Sequence, residues 1–313
     1  MASSTRILIT GKSGQVGGAL AEELGKSSAE VLAPSSAELD LGSEDAIRNV
    51  VRKFRPQWIV NAAAYTAVDK AESEQELAER INTLAPRILA DEAALLGAPL
   101  LHFSTDYVFD GTKPTPYVES DPTAPLNTYG RTKRAGEEAL EQSSAPYLVF
   151  RTSWVYGATG KNFLRTILKA ARERDVLRIV ADQHGAPTWS RDLARMVVHV
   201  IAERTEAAAQ QGCSVAETVN AVRGIYHAAG RGETTWFGFA EAGVNSLRDK
   251  ADSLADGSKI ATLEPISTAA YPTPAPRPLN SRLDCTKLQN VLGWSMQTWQ
   301  DSLKLVLAEL DTQ

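Results

Sequence analysis

Residues 6–17 read RILITGKSGQVG, an apolar run that ends in a glycine-rich turn. A continuous apolar run of this length suits a strand that is buried on both faces of a parallel sheet. Residues 15–24 then place apolar side chains at Val16, Leu20 and Leu24, which is the spacing of one helix face. This stretch therefore predicts a strand–turn–helix unit, the unit from which parallel α/β sheets are built.

Strands and helices continue to alternate downstream of this unit. Apolar runs predict strands at 31–33, 58–62, 99–103, 145–151 and 225–228. Helical spacing predicts helices at 44–54 (capped by Ser43), 74–96, from Tyr129 onward, 190–202, 286–292 and 298–310. We expect an exposed connection at 206–212 and, because of its prolines, an extended loop at 271–278. The alternation predicts an α/β fold with a Rossmann-type doubly wound parallel sheet.

Composition limits the classes of protein that this chain can belong to. Its 313 residues carry 33 Lys and Arg against 38 Asp and Glu, a formal charge of −5 that argues against a nucleic-acid partner. No run approaches the roughly 20 apolar residues that span a bilayer, and residues 1–6 lack the pattern of a signal peptide. Two cysteines, Cys213 and Cys285, are too few for a disulfide framework. We therefore expect a cytoplasmic protein without a membrane partner.

The glycines of the first turn have the spacing G-x-x-G-x-x-G, at Gly11, Gly14 and Gly17. Glycine allows a tight turn, close packing of helix on sheet, and approach of the backbone to a pyrophosphate. The N–H groups at the start of the helix favour the same anion. The turn therefore predicts a dinucleotide site, although an ordinary strand–helix turn would also tolerate these glycines.

The choice of nicotinamide cofactor depends on what meets the ribose 2′-position. No acidic residue stands at the end of the second predicted strand, where residues 33–36 read APSS, and Lys12 could meet a phosphate. This pattern favours NADPH over NADH, while a Lys12 that is merely solvated would leave the choice open. Asp40 and Leu41, expected at the end of a third strand, are candidates for contact with the adenine.

Tyr129 and Lys133 form a Y-x-x-x-K pair near the start of a predicted helix. A spacing of four places both side chains on one helix face, where the ammonium and the helix dipole would favour tyrosinate. Such a tyrosine can exchange a proton with a carbonyl oxygen that receives hydride. In an arbitrary helix a tyrosine packing over a surface lysine would be the simpler interpretation.

Ser104, Thr105 and Asp106 follow the predicted strand at 99–103 directly. The carboxyl ends of parallel strands carry the sites of open α/β sheets, so a hydroxyl at this point can hydrogen-bond a substrate carbonyl. A turn or helix cap is the simpler alternative for such a tripeptide.

These residues resemble the extended short-chain dehydrogenase/reductases, and within them the dTDP-4-dehydrorhamnose reductase family. The resemblance runs from about residue 6 to 310 and rests on long motifs. They are NAAAYTAVD (61–69), STDYVFDG (104–111), PLNTYG (125–130), RTSWVYG (151–157), DQHGAPT (182–188) and RPLNSRL (277–283).

The resemblance implies a reaction, the NAD(P)H-dependent reduction of the C4 keto group of dTDP-4-dehydro-L-rhamnose to dTDP-L-rhamnose. In that reaction Tyr129 would protonate the oxygen, Lys133 would lower the pKa of the tyrosine and bind the nicotinamide ribose, and Thr105 would polarise the carbonyl. It also implies a dTDP-sugar as the small-molecule partner, and a monomer or homodimer.

The resemblance also implies further binding residues. Beside the glycine turn, Tyr129 and Lys133, the cofactor would meet Gln15, Val16, Ala62, Ala63, Ala64, Tyr65 and Thr66. The substrate would meet Ser104, Thr105, Asp106, Trp154, Asn162, Gln183 and Arg282. Trp154 could instead be a core aromatic residue, and Arg282 could form a surface salt bridge.

The chain departs from the family pattern at two positions. Tyr65 stands where relatives often have histidine, and Pro34 stands where some have an acidic residue. No spacing of ligand residues demands a metal, so a Mg²⁺ requirement stays open. The four histidines, among them His102 and His227, are expected to be structural.

The sequence predicts two lobes. The NAD(P)-binding Rossmann domain would comprise residues 1–155 with the interleaved segments 175–205 and 222–240. The smaller substrate-binding lobe, mainly C-terminal, would comprise 156–174, 206–221 and 241–313.

Other functions remain open at this point. A 4,6-dehydratase is disfavoured because Tyr107 stands where a second carboxylate would be expected after Asp106. Another dTDP-4-keto-sugar reductase or a 4-epimerase is harder to exclude. A non-catalytic NADP-binding regulatory subunit, such as that of methionine adenosyltransferase, would have no need for Thr105, Tyr129 and Lys133 together.

Overall fold

The computed structural model describes residues 5–254 and 259–312. Residues 1–4, part of the segment in which no signal-peptide pattern was found, lie outside the described residues. So do 255–258 and 313, which fall within the predicted smaller lobe.

A six-stranded parallel sheet forms the centre of the fold, in the strand order β10-β5-β4-β3-β1-β2. Its first five strands alternate with helices that cover both faces, which confirms the predicted α/β class. The elements of this half are β1 (Arg6–Thr10), α1 (Gln15–Leu24), β2 (Glu30–Leu32), α2 (Glu44–Phe54), β3 (Trp58–Asn61), α3 (Val68–Ala71), α4 (Gln75–Glu79), α5 (Ala85–Leu96), β4 (Leu100–Thr105), α6 (Thr128–Glu141) and β5 (Tyr147–Thr152).

The second half adds the sixth strand and several smaller sheets. Its elements are β6 (Val155–Tyr156), α7 (Phe163–Glu173), β7 (Val176–Val180), β8 (His184–Gly185), β9 (Thr188–Trp189), α8 (Ser190–Gln211), α9 (Val215–Asn220), β10 (Gly224–His227), β11 (Thr234–Thr235), α10 (Trp236–Leu254), β12 (Thr262–Ile266), α11 (Thr286–Leu292) and α12 (Trp299–Asp311). Strand β10 returns to the main sheet beside β5, whereas β7 pairs with β12 in a separate parallel pair.

Three large apolar clusters hold these layers together. One lies between the sheet and α1 and α8, and contains Leu20, Phe150 and Val197. Another lies on the opposite face of the sheet under α2 and α5. The third joins α7, α10 and α12 to the small β7–β12 pair. The boundaries predicted for the two lobes stay a prediction.

Helix α8 is longer than the sequence suggested. The segment 206–212 was expected to be an exposed connection, but the helix continues to Gln211 and ends at Gly212, which has a φ of 65°. Alanine and glutamine are good helix formers, and Ala208 is buried. The expectation was therefore wrong because it gave more weight to polarity than to helix propensity.

The segment 74–96, predicted to be helical, runs from α4 to α5 without a break, but the turn between them, Arg80–Leu84, is π-helical, and Asn82 within it is buried. The side chain of Asn82 accepts from the Tyr65 N–H and donates to the Tyr65 carbonyl, so the partner that holds Asn82 lies outside the helix. No strand ends at Asp40 in the described chain, because its Oδ1 accepts from the Gly42 N–H at 2.8 Å in a turn before α2.

Candidate active site

A cavity of about 650 Å³ runs along the carboxyl edge of the main sheet. It extends from the segment after β2, across the glycine turn, to the ends of β3, β4 and β5 and the start of α6. Most of the predicted site residues line it, namely Gly11, Lys12, Gly14, Gln15, Val16, Asp40, Leu41, Ala62, Ala63, Ala64, Thr66, Ser104, Thr105, Asp106, Tyr129, Lys133 and Trp154.

The glycine turn is as tight as its sequence indicated. Gly11 has a φ of 78°, and a Cβ on it would lie 2.7 Å from Ala63 Cα. A Cβ on Gly17 would lie 2.1 Å from the Gly11 carbonyl oxygen. Gly17 therefore serves the packing of α1 against the turn and does not itself line the cavity.

The turn fits the pyrophosphate of a dinucleotide. The Gly14 N–H is used within the turn, donating to Gly11 O at 2.9 Å, and the helix α1 begins at the next residue with no acidic residue in its first turn. Its N-terminal amides and the positive end of its dipole therefore face the cavity without a competing carboxylate.

The segment after β2 contains an ion pair that the sequence analysis missed. Lys12 Nζ lies 3.6 Å from Glu38 Oε2, which also accepts from the N–H and Oγ of Ser35 at 2.7 Å. The hydrogen bonds from Ser35 and the charge of Lys12 hold the pKa of Glu38 below its usual range. An acidic group thus stands close to the end of β2 after all, since the turn brings residue 38 back towards residue 35.

Tyr129 enters the cavity from the first turn of α6. Asn127 caps this helix by accepting from the Gly130 N–H at 2.8 Å, and this cap fixes where the helix begins. Burial raises the pKa of Tyr129 to about 12, and a hydrogen bond with Thr105 opposes this rise. The ring of Tyr107 packs edge-on against that of Tyr129, with 5.6 Å between centroids.

Thr105 and Asp106 form a buried hydrogen-bonded pair beside this tyrosine. The Thr105 hydroxyl donates to Asp106 Oδ1 at 2.9 Å and accepts from the Tyr107 N–H at 3.2 Å. Burial raises the pKa of Asp106 to about 6, against hydrogen bonds from Ser281 and Thr105. Within the described chain Asp106 Oδ2 and the Ser104 hydroxyl are buried without a hydrogen-bond partner.

Lys133 does not interact with Tyr129 in the expected way. Its Nζ donates to the Phe103 carbonyl at 2.6 Å and lies 3.2 Å from His102 Nε2. Burial lowers the pKa of Lys133 to about 8. The expected lowering of the Tyr129 pKa is therefore not found. The Lys133 ammonium is directed towards β4, and burial has the largest effect on the Tyr129 pKa, which it raises.

Trp154 lines the cavity in a strained backbone conformation. Its φ is 47°, a region that residues other than glycine rarely adopt. Its indole stacks on Trp236 with 3.8 Å between centroids, and Gly185 packs so closely that a Cβ there would lie 2.6 Å from Trp154 Cε2. Because Trp154 is only half-buried and faces the cavity, it is not simply a core residue.

The structure does not bring four other predicted residues to this cavity. Tyr65 donates its hydroxyl to Glu74 at 2.5 Å, and Asn162 caps α7. Gln183 bonds the Thr268 hydroxyl at 3.1 Å. Arg282 pairs with Glu233 at 2.6 Å and lines a separate cavity of about 360 Å³. Their binding roles stay predictions.

Lys161 is the clearest lining residue that the sequence analysis missed. It lies on an exposed loop that Gln15 ties to the glycine turn, since Gln15 Nε2 donates to Thr159 O at 2.7 Å. The sequence signal was weak because lysine is common in surface loops. The other missed residues around the cavity are Thr10, Ser13, Pro34, Ser35, Ser36, Leu39, Val68, Ile81, Phe103, Tyr107, Thr152, Ser153 and Val155.

The described residues contain no cluster of three or more His, Cys, Asp or Glu side chains able to hold a metal ion. Likewise, no helix within 5–254 or 259–312 is long and apolar enough to cross a membrane.

Comparison with known proteins identifies the family. A family model described as the RmlD substrate binding domain matches residues 5–312. The dTDP-4-dehydrorhamnose reductase of Burkholderia thailandensis is 42% identical over 308 residues, covering 98% of this chain and 100% of that protein. That of Escherichia coli K12 is 42% identical over 309 residues, covering 98% of both chains.

Solved structures agree with these relatives. The crystal structure of a dTDP-4-dehydrorhamnose reductase from Clostridium acetobutylicum superposes with a TM-score of 0.86 at 33% identity, covering 98% of this chain and 100% of that one. One from Bacillus anthracis, in complex with NADP, gives a TM-score of 0.85 at 32% identity with the same coverage. This chain therefore belongs to the dTDP-4-dehydrorhamnose reductase family of NAD(P)H-dependent oxidoreductases.

Proposed function

We propose that this chain reduces the C4 keto group of dTDP-4-dehydro-L-rhamnose to give dTDP-L-rhamnose, with NADPH favoured over NADH. The observation that carries the proposal is that Thr105, Tyr129 and Lys133 line the same cavity as the glycine turn. The relatives named dTDP-4-dehydrorhamnose reductase over nearly the full chain support the choice of substrate.

The residues of the cavity fit a nicotinamide dinucleotide. Gly11 and Gly14 form the turn beside the free amides of α1, and Ala62 to Ala64 form the facing wall at the end of β3. When bound, the reduced nicotinamide supplies the hydride for C4 of the sugar. The relative whose structure contains NADP supports the phosphorylated cofactor. Lys12 and Ser35 line the cavity after β2 and could bind its 2′-phosphate, which would have to replace the Glu38 carboxylate that both side chains contact.

Tyr129 is suited to protonate the sugar oxygen. Its pKa, raised to about 12 by burial, keeps the phenol protonated at neutral pH, so the proton is in place before the carbonyl arrives. As C4 gains hydride, the C4 oxygen takes the phenol proton and leaves tyrosinate. The ammonium form of Lys133, four residues further along the same helix, stabilises that anion and favours the transfer.

Thr105 would polarise the same carbonyl. Its hydroxyl hydrogen is directed to Asp106 Oδ1, so it must rotate towards the substrate when the substrate binds. Protonation of Asp106, whose pKa burial raises to about 6, weakens this competing acceptor. The unpartnered Asp106 Oδ2 and Ser104 hydroxyl are then groups for the sugar hydroxyls.

Trp154 would form the wall against which the sugar packs.

We also propose that the protein acts in the cytoplasm as a monomer or homodimer, on the small-molecule dTDP-sugar alone. The mild net charge of −5 and the absence of a membrane-crossing helix from the described residues support this setting.

The proposed function is tested by mixing the protein with NADPH and dTDP-4-dehydro-L-rhamnose and measuring NADPH oxidation as a loss of nicotinamide absorbance. We expect turnover with this sugar and less with other dTDP-4-keto sugars in a panel. Loss of absorbance with none of them, while fluorescence titration shows bound NADPH, would contradict an enzymatic role.

The proton donor is tested with Tyr129→Phe. We expect kcat to fall by about 10²- to 10⁴-fold, the usual range for a lost general acid, while the Kd for NADPH stays within a factor of about two because the phenol proton acts on the sugar. Retention of most of the activity would show that another group protonates the oxygen.

A further inference from the structure

Lys133 is the last member of a chain of buried polar side chains that crosses the main sheet. His102 Nε2 lies 3.2 Å from Lys133 Nζ, and its Nδ1 lies 3.0 Å from Asn61 Nδ2. Asn61 Oδ1 in turn accepts from the Thr10 hydroxyl at 2.6 Å. These four side chains come from β1, β3, β4 and α6, and none is more than 1% exposed. Such a network is unlike the simple structural role that the sequence suggested for His102.

The hydrogen-bond directions among these four side chains follow from Thr10, the one farthest from Lys133 along the network. Thr10 Oγ1 accepts from the Ala63 N–H at 3.4 Å, so its own hydrogen is free to go to Asn61 Oδ1. Asn61 therefore presents its NH₂ group to His102 Nδ1, which must accept. Burial and the nearby Lys133 hold the pKa of His102 well below its usual value, so the ring is neutral. Its single hydrogen then lies on Nε2.

This hydrogen points at Lys133 Nζ. An ammonium group has three donors and no lone pair, so it cannot accept the Nε2–H. The contact is a hydrogen bond only when Lys133 is an amine, in which case Nζ still donates to Phe103 O. The negative charge of Glu137 favours the ammonium form of Lys133 and so opposes the amine form. Glu137 is itself paired with Arg151 and Arg134.

We propose that His102, oriented by Thr10 and Asn61, is a positioning residue that holds Lys133 by donating Nε2–H to its Nζ and so stabilises the amine form of Lys133. Its consequence for catalysis rests on the proposed function, in which the ammonium serves Tyr129. Lys133 is charged below its pKa, so activity should be lost as pH rises through that value. By stabilising the amine, His102 brings this loss closer to neutral pH.

The test compares His102→Leu with His227→Leu. Both substitutions remove a fully buried imidazole, but His227 bonds the Tyr117 carbonyl and does not line the cavity. The titration of Lys133 is measured by NMR in protein that carries ¹³C-labelled lysine, with the signal assigned by its loss in Lys133→Met. The probe is the cofactor-free protein, so the readout does not depend on activity.

We expect the Lys133 titration midpoint to rise by about one pH unit in His102→Leu, since a hydrogen bond of this kind is worth roughly that shift. In His227→Leu the midpoint should stay at the wild-type value. An unchanged or lowered midpoint in His102→Leu would overturn the proposal, as would an equal rise in His227→Leu.

Thr10→Val provides a milder variant if His102→Leu does not fold. It removes the hydroxyl that orients Asn61, so the amide can turn and the midpoint should rise by a smaller amount. No rise in Thr10→Val would refute the assigned hydrogen-bond direction.

The pH profile of kcat/KM separates this proposal from the proposed function. Its alkaline limb should move to higher pH in His102→Leu, together with the NMR midpoint. If the midpoint moves and the limb does not, the contact stands, and it is the role of the Lys133 ammonium in catalysis that fails.

Discussion

The ion pair between Glu137 and Arg151 joins the helix that carries Tyr129 and Lys133 to the central sheet. Arg151 Nε and Nη2 donate to the two carboxylate oxygens of Glu137 at 2.9 and 2.7 Å. The Arg151 side chain is 2% exposed and the Glu137 side chain is 0% exposed. Arg151 also lies opposite Ser104 in the β4–β5 register, directly behind the site. Loss of this pair should therefore affect both stability and the position of α6.

The perturbation is Glu137→Gln, which keeps the shape of the side chain but removes its charge. Arg151 is then left buried without a counter-ion, a change that typically costs about 3–5 kcal/mol. For 313 residues, an unfolding entropy of about 2.1 cal/mol/K per residue makes each kcal/mol worth about 1.5 °C in Tm. We therefore expect the Tm to fall by about 5–8 °C.

The matched control is Glu138→Gln on the next position of the same helix. Glu138 pairs with Arg134 at 3.3 Å but is 49% exposed, so its loss should cost less than about 1 kcal/mol. Calorimetry and urea unfolding measure both variants. A Glu137→Gln protein whose stability equals that of Glu138→Gln would refute the reasoning. Replacing both partners, by Glu137→Leu with Arg151→Met, should recover most of the loss because no charge is then left unpaired.

Two further predictions concern the ligands of the cavity. Trp236→Ala removes the ring that stacks on Trp154; since such a stack is worth about 0.5–1.5 kcal/mol, the KM for the dTDP-sugar should rise about two- to tenfold with the Kd for NADPH unchanged. A parallel change in the Kd for NADPH would contradict a role confined to the sugar. Lys161→Ala should weaken NADPH binding about two- to fivefold and reduce its dependence on salt, whereas Lys169→Ala, an exposed residue of α7, should do neither in the same titrations.

The parts of the fold that could be predicted from the sequence depend on neighbours along the chain. The first strand, the glycine turn and α1 lie within residues 6–24, and the Tyr129–Lys133 pair lies within one turn of α6. In both cases local periodicity and turn chemistry carry the information. The parallel direction of the strands follows from the same alternation, because parallel strands need helical crossovers on the faces of the sheet. Their order in the sheet does not follow from it.

The parts that could not be predicted depend on contacts between distant segments. Glu38 reaches Lys12 through a turn, and Lys161 reaches the glycine turn only because Gln15 holds its loop. The partners of Lys133 are another example, since His102 on β4 competes with Tyr129 on the same helix for the direction of its Nζ. Spacing along the helix shows which side chains share a face but not which partner outside the helix attracts them.

The late motif at 277–283 shows how such contacts change an interpretation. Its similarity to the family implied that Arg282 contacts the substrate, but Arg282 pairs with Glu233 away from the main cavity. Other residues of the motif act on residues that line the cavity. Arg277 forms an ion pair with Asp69 at 2.6 Å and hydrogen-bonds Tyr107, whose ring packs on Tyr129.

Ser281 of the same motif lowers the pKa of the buried Asp106 carboxyl against the larger effect of burial, and that carboxyl accepts the Thr105 hydroxyl. The motif therefore supports the two hydroxyl residues of the site from behind. Arg277 and Ser281 thus help to position Tyr129 and Thr105, and a contact between Arg282 and the substrate stays a prediction that this arrangement does not test.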